Sequence, residues 1–211
     1  NFLGAEAWSS QGIDVGPVPP IPQAITPELL NLECPLHPGE KIKDTHVLML
    51  VPKTVNGEPY TALKLDELCA ERKGSGDKLI YDRYDSWKSQ EWASSPQAAS
   101  EWVLIPKSDP DPKKVPDRHF RIKSISQQEK VHEDHYGDYR EAKAVELMTA
   151  VLLCYLVHKE RLVPENLRCQ EQNEFGGRVC VGRFSSFGLW IRVSYGDYPN
   201  EGTGLALARE L

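Results

Sequence analysis

Leu147 to Val157 is an apolar run interrupted only by Thr149, and it restricts the fold of this chain more than any other stretch. It is well short of the roughly 20 apolar residues that span a bilayer, so it predicts burial inside a protein core. Ala142, Val145, Met148, Leu152, Tyr155 and Leu156 share one helical face, and Leu147, Val151 and Leu153 widen it. That spacing predicts a long, buried central helix from about Tyr139 to Lys159. A chain of 211 residues, 40% hydrophobic and 27% charged, can enclose such a helix without metal or disulfide staples.

Around the helix the pattern shifts toward strands and turns. His46 to Val51 is a continuous apolar run ended by Pro52, as in a strand buried on both faces. Asn56-Gly57 marks a turn, and Leu65, Leu68 and Cys69 place a helix over residues 61–72, stopped by Gly74. Glu101 to Pro106 repeats the form of a strand followed by proline. Ser126-Gln127-Gln128-Glu129 reads as a capping box, with a helix from near Gln127 to a stop before Gly137. After the long helix the period becomes two. Arg178 to Phe184 and Leu189 to Val193 form an antiparallel pair turning around residues 185–188, and Leu205 to Ala208 adds a last strand.

Pro17, Pro19, Pro20, Pro22, Pro27, Pro35 and Pro38 crowd the beginning of the chain. Proline fixes φ and removes a donor, which predicts an extended arm over residues 1–38, anchored by Ile13, Val15, Val18, Ile21 and Ile25. Thr26-Pro27-Glu28 caps a short helix within it. Residues 39–211 then form a single α+β domain: a mixed, mainly antiparallel sheet packed on the long helix. Beginning at Asn1 rather than Met, the chain reads as a piece of a longer or processed protein.

The charge balance narrows the function classes. A formal net charge of −6 argues against nucleic-acid binding, which draws its affinity from clustered Lys and Arg. Lys113, Lys114, Arg118, Arg121 and Lys123 form one local basic run, read as a solvated loop. The five cysteines lack CxxC pairs and read as reduced thiols, which with no membrane span suggests a cytoplasmic setting.

Few residues carry reactive chemistry. Cys169, beside Arg168, is the best placed thiol for nucleophilic work, with His46 or His158 as its base and Asp197 to orient that base. His132-Glu133-Asp134-His135 places two imidazoles at i and i+3, with Cys34 and His37 as distant further ligands. The carboxylates between the histidines point elsewhere around a helix, so neither a metal nor another cofactor is expected. Gly74-Ser75-Gly76 lacks the context of a phosphate loop. Tyr81, Tyr84, Trp87 and Trp92 lie in a polar stretch, where aromatics supply contact anchors for a protein partner or, equally, satellite core under a long loop.

Asp44 to Pro52 with Val55-Asn56-Gly57, Trp102 to Ile105, and Arg168-Cys169-Gln170-Glu171 followed by Val181 to Phe184 resemble an uncharacterised protein family of bacteria that live inside eukaryotic cells. The resemblance covers most of the chain in scattered blocks. Relatives carry similar C-terminal halves behind F-box-like segments, which recruit ubiquitin-ligase machinery. The chain departs from the pattern at Arg183, where a second glycine is expected, at Asn166-Leu167 in place of an aromatic-Thr pair, and at an aromatic position held by His37. The resemblance implies no enzymatic activity. The combined expectation is a protein-binding module of a larger bacterial protein, using Trp87, Trp92 and Tyr84. A cysteine-dependent hydrolase or transferase built on Cys169 is the alternative.

Overall fold

The computed structural model describes residues 2–71, 79–81, 87–108, 110, 113–116, 119–121, 123–163, 165–194 and 203–211. In chain order its first elements are β1 (Phe2–Leu3), α1 (Ala5–Ser9), α2 (Pro27–Asn31), β2 (Glu33–Cys34), β3 (His37–Lys41), α3 (Ile42–Thr45) and β4 (His46–Val51). The middle of the chain holds β5 (Thr54–Val55), β6 (Glu58–Pro59), α4 (Ala62–Glu71), β7 (Ile80–Tyr81), α5 (Glu91–Ser94), β8 (Glu101–Pro106) and α6 (Ile125–His135). β9 (Tyr139–Glu141), α7 (Ala144–His158), β10 (Asn166–Gln172), β11 (Arg178–Ser185), β12 (Gly188–Ser194), β13 (Thr203–Leu205) and β14 (Leu207–Arg209) complete it.

This is an α+β fold with two mixed sheets. The first runs β1-β4-β8-β14-β9 and the second β13-β10-β11-β12-β7. The expected single sheet is therefore divided: β4 and β8 lie in one sheet, β11 and β12 in the other. The reason lies in α7, which is predominantly apolar and is buried on every side over its first three turns. Residues 144–154 are all buried, so one sheet could not cover it. It packs against β4 and β8 of the first sheet and against β10, β11 and β12 of the second. One contiguous apolar cluster joins Leu3 and Trp8 to Met148, Leu152, Val181 and Ala208. Among the described residues no helix is long and apolar enough to cross a membrane.

The long helix starts later than its periodicity suggests. Tyr139 to Glu141 form β9, paired antiparallel with β14. Glu146, fully buried, ends the strand phase by accepting from Lys143 N at 2.8 Å and holding Arg140 through two bonds of 2.7 and 2.9 Å. A carboxylate in the first turn satisfies an otherwise orphaned backbone donor and faces the positive end of the helix dipole. The capping box of α6 also lies two residues earlier than expected: Ser124 Oγ accepts from Gln127 N, and Gln127 Oε1 accepts from Ser124 N.

The final strand is two strands in different sheets. β13 pairs parallel with β10, and β14 pairs antiparallel with β8 and β9. Ala206 bridges them, donating its N–H to Arg168 O at 2.8 Å while its carbonyl accepts from Ala142 N at 2.9 Å. Elsewhere local sequence acts directly. Asn56 and Gly57 hold φ of 51° and 82°, the left-handed pair that a tight hairpin turn requires. A register shift in β11 falls at Gly182 and Arg183. A Cβ at Gly182 would stand 1.9 Å from Glu165 O, and Arg183 holds φ of 49°, a left-handed conformation that L side chains rarely adopt.

Candidate functional site

The proline-rich stretch is followed, after α4, by Trp87, which is 1% exposed and stacked on Trp92 at 5.7 Å between ring centroids. Trp87 is thus part of the core, as in the satellite-core reading of these aromatics, and not the exposed contact residue proposed for it. The α5 turn is tied by Gln90 N to Trp87 O at 3.1 Å and by the Ser94 and Ser95 hydroxyls, both donating to Glu91 O. These bonds hold Trp92 half-buried, with its ring forming part of a wall. Tyr84 lies outside the described residues.

The wall belongs to an open groove of about 790 Å³, between residues 89–92 and 95 on one side and 171–174 on the other. That size is in the range of small-molecule and side-chain pockets. The second wall is the end of β10 and its turn into β11. Asn173 braces that turn: its side-chain oxygen accepts from Phe175 N at 3.1 Å and Gly177 N at 2.7 Å, and its backbone N–H donates to Gly177 O at 2.8 Å. Gly176 takes φ of 75°, which fits a glycine at this turn. Glu171 accepts from Ala144 N at 2.8 Å, which anchors the wall to the first turn of α7. Burial pushes the Glu171 carboxyl above the usual range, the Glu146 charge adds to this, and the Ala144 N–H opposes it.

Both walls are fixed by internal hydrogen bonds, and the lining is polar. Among the described lining residues Glu91, Glu171 and Glu174 are acidic and none is Lys or Arg. Only Trp92 of this set stood out in the sequence. The glutamates and Gln172 belong to a strand end and its turn, and Asn173 followed by Gly176-Gly177 is the one local signal that a braced turn sits there.

The reactive candidates lie elsewhere. Cys169 is fully buried in β10, and its thiol lies 3.7 Å from the Leu167 carbonyl oxygen. Burial pushes this thiol well above its ordinary range, with the Glu171 charge adding to the effect, so it stays protonated where a nucleophile needs a thiolate. His46 commits both ring nitrogens: Nδ1 lies 2.9 Å from Thr45 Oγ1 and Nε2 lies 3.0 Å from the Tyr139 hydroxyl. One nitrogen donates and the other accepts in either tautomer, so both are engaged. No nitrogen remains to serve Cys169 as a base. His158 ends α7 on the exposed surface, and Asp197 lies outside the described residues.

The remaining candidates separate in the same way. His132 Nε2 lies 2.6 Å from Tyr139 O, and His135 packs edge-on against Tyr136. Cys34 is fully buried opposite His37 in the β2–β3 hairpin, where His37 Nε2 meets Ser108 O at 3.3 Å. Among the described residues no three His, Cys, Asp or Glu side chains converge as a ligand set. The five cysteines are all buried and free. In the basic run Lys114 pairs with Glu40 at 2.8 Å and Arg121 with Glu165, which spreads its charge among acids. Arg118 and residues 74–76 lie outside the described residues. Comparison with protein families, with curated proteins and with solved structures gave no match.

Proposed function

We propose that this chain is a protein-recognition module of a larger bacterial protein, and that a segment of the partner seats in the groove between residues 89–95 and 171–174. The observation that carries this reading is the placement of Trp92. A half-buried indole backed by a second, fully buried one forms a rigid apolar spot in an otherwise polar cleft. Rings held this way lose little conformational freedom on binding, which is why aromatic anchors dominate recognition surfaces. The fixed turn at residues 173–177 supports the same reading, since a preorganised wall reduces the ordering cost. An extended proline-rich arm, presenting Val18 and Ile21 to solvent, supplies a secondary contact in this account. No observation favours the cysteine-dependent alternative, because the Cys169 thiol is buried and protonated.

The test places a photoreactive side chain at Gln172, which is exposed at the groove, and in a second protein at Ser9, which is exposed on α1. Irradiation in a eukaryotic lysate should give a discrete cross-linked product from position 172 that the Ser9 protein does not give. Adding Trp92→Ala to the position-172 protein should remove that product. Equal products from both positions, or none from position 172, would contradict the reading.

A further inference from the structure

We infer that the groove recognises a basic side chain on the partner segment, an arginine or lysine laid across Trp92 between the glutamates. This inference rests on the groove being the recognition site and adds the chemistry of its ligand. Three observations converge on it.

The first is charge. Glu91 and Glu174 are exposed, stand on opposite walls, and no Lys or Arg joins them among the described lining residues. The neighbouring cations are engaged elsewhere: Lys88 pairs with Asp66 at 2.8 Å, and Lys143 lies 3.3 Å from Glu101. A second carboxylate on the β10 wall, Glu171, is partly desolvated; it accepts from the Ala144 N–H and its own backbone N–H, and of the two neighbouring cations only the Lys143 charge acts on it. Carboxylates in a concave site focus their field into it and raise the local concentration of cations.

The second is the ring. An indole is the strongest aromatic partner for a cation, and a guanidinium also stacks on its face. The fold already uses such contacts: Lys88 lies over Trp87 at 5.7 Å, and Arg209 lies over Tyr139 at 5.3 Å. The third is the remaining lining, in which the exposed Gln172 offers a side-chain amide beside the carboxylates. Amide oxygens accept from the several N–H donors of a guanidinium, whose planar fork needs more than one acceptor. An apolar or acidic segment would leave the carboxylates desolvated without a counter-charge.

The experiment follows the Trp92 indole N–H resonance, identified by its loss in Trp92→Phe, in the full chain. One probe is a blocked Gly-Ser octapeptide with two central arginines; its control carries citrulline, the neutral isostere, at both places. The arginine peptide should shift the Trp92 resonance with at least about fivefold higher affinity than the citrulline peptide, the ratio that roughly 1 kcal/mol of cation–π and charge attraction gives. The preference should shrink as salt is raised, because the glutamates are exposed. Glu91→Gln together with Glu174→Gln changes only exposed side chains, and should weaken the arginine peptide while leaving the citrulline peptide unchanged.

Equal affinity for the two peptides at Trp92 would overturn the basic-ligand inference and leave the groove as the recognition site. No Trp92 shift with either peptide, while position 172 still cross-links a partner, would also overturn it and leave the groove reading standing. Failure of both measurements would remove both.

Discussion

His46 shows most clearly how one side chain here is committed to structure. It is buried at 1% exposure, between Thr45 and the Tyr139 hydroxyl, so that α3 and β4 are pinned to β9 through one neutral imidazole. Burial first, then the nearby charges of His37, Arg209 and Lys107, push its pKa down to about 3, while a backbone hydrogen bond to Ile42 opposes them. In the unfolded chain the same imidazole titrates near 6.5. The unfolded state therefore binds the extra proton as pH falls, and the folded state does not. The contribution is fully present above about pH 6.5 and is lost progressively between there and pH 3. Its slope is about 1.4 kcal/mol per pH unit for one proton. Urea unfolding between pH 7 and pH 4 should show that slope in the native chain and a flatter one in His46→Gln. Parallel profiles would mean that the imidazole charges freely in the fold.

At the scale of elements, what the sequence made legible and what it hid have physical causes. β4, the Asn56-Gly57 hairpin and the β11–β12 pair were readable because apolar runs and special dihedrals are local properties. β9 was hidden because Tyr139 to Glu141 continue the helical spacing of α7, and only Glu146 reaching back to Lys143 N and Arg140 reveals the break. β10 was hidden because Arg168 is buried in it, at 1% exposure, and a buried arginine disguises a strand as a loop. The groove was hidden for a related reason: its walls are polar turns, and only Trp92 stood out. The α7 start also carries a stability prediction. Arg140→Met leaves the Glu146 carboxylate buried without its bidentate partner and should cost about 3 kcal/mol in thermal or urea unfolding. Changing Glu146→Met as well removes the stranded charge, so the double variant should be more stable than Arg140→Met alone. A single variant as stable as the native chain would show that the pair is not desolvated.

At the scale of the whole molecule, two mixed five-stranded sheets both contact one buried helix, α7, and Ala206 carries the last strand from one sheet to the other. In that arrangement the core holds the thiol and imidazole candidates, and the proposed recognition groove lies at the rim. Cys169, His46 and Trp87 are buried, whereas Trp92, Glu91 and Glu174 line the groove where the α5 segment faces the β10–β11 turn. The central claim is the proposal that this rim receives the basic segment of the partner. Amide hydrogen exchange of the full chain, with and without saturating arginine peptide, tests it most directly. The account predicts slower exchange in residues 90–95 and 173–177, and unchanged exchange in the β11–β12 turn at 185–188, where Phe187 is 64% exposed. Protection confined to the Phe187 turn, with none in either wall of the groove, would contradict it.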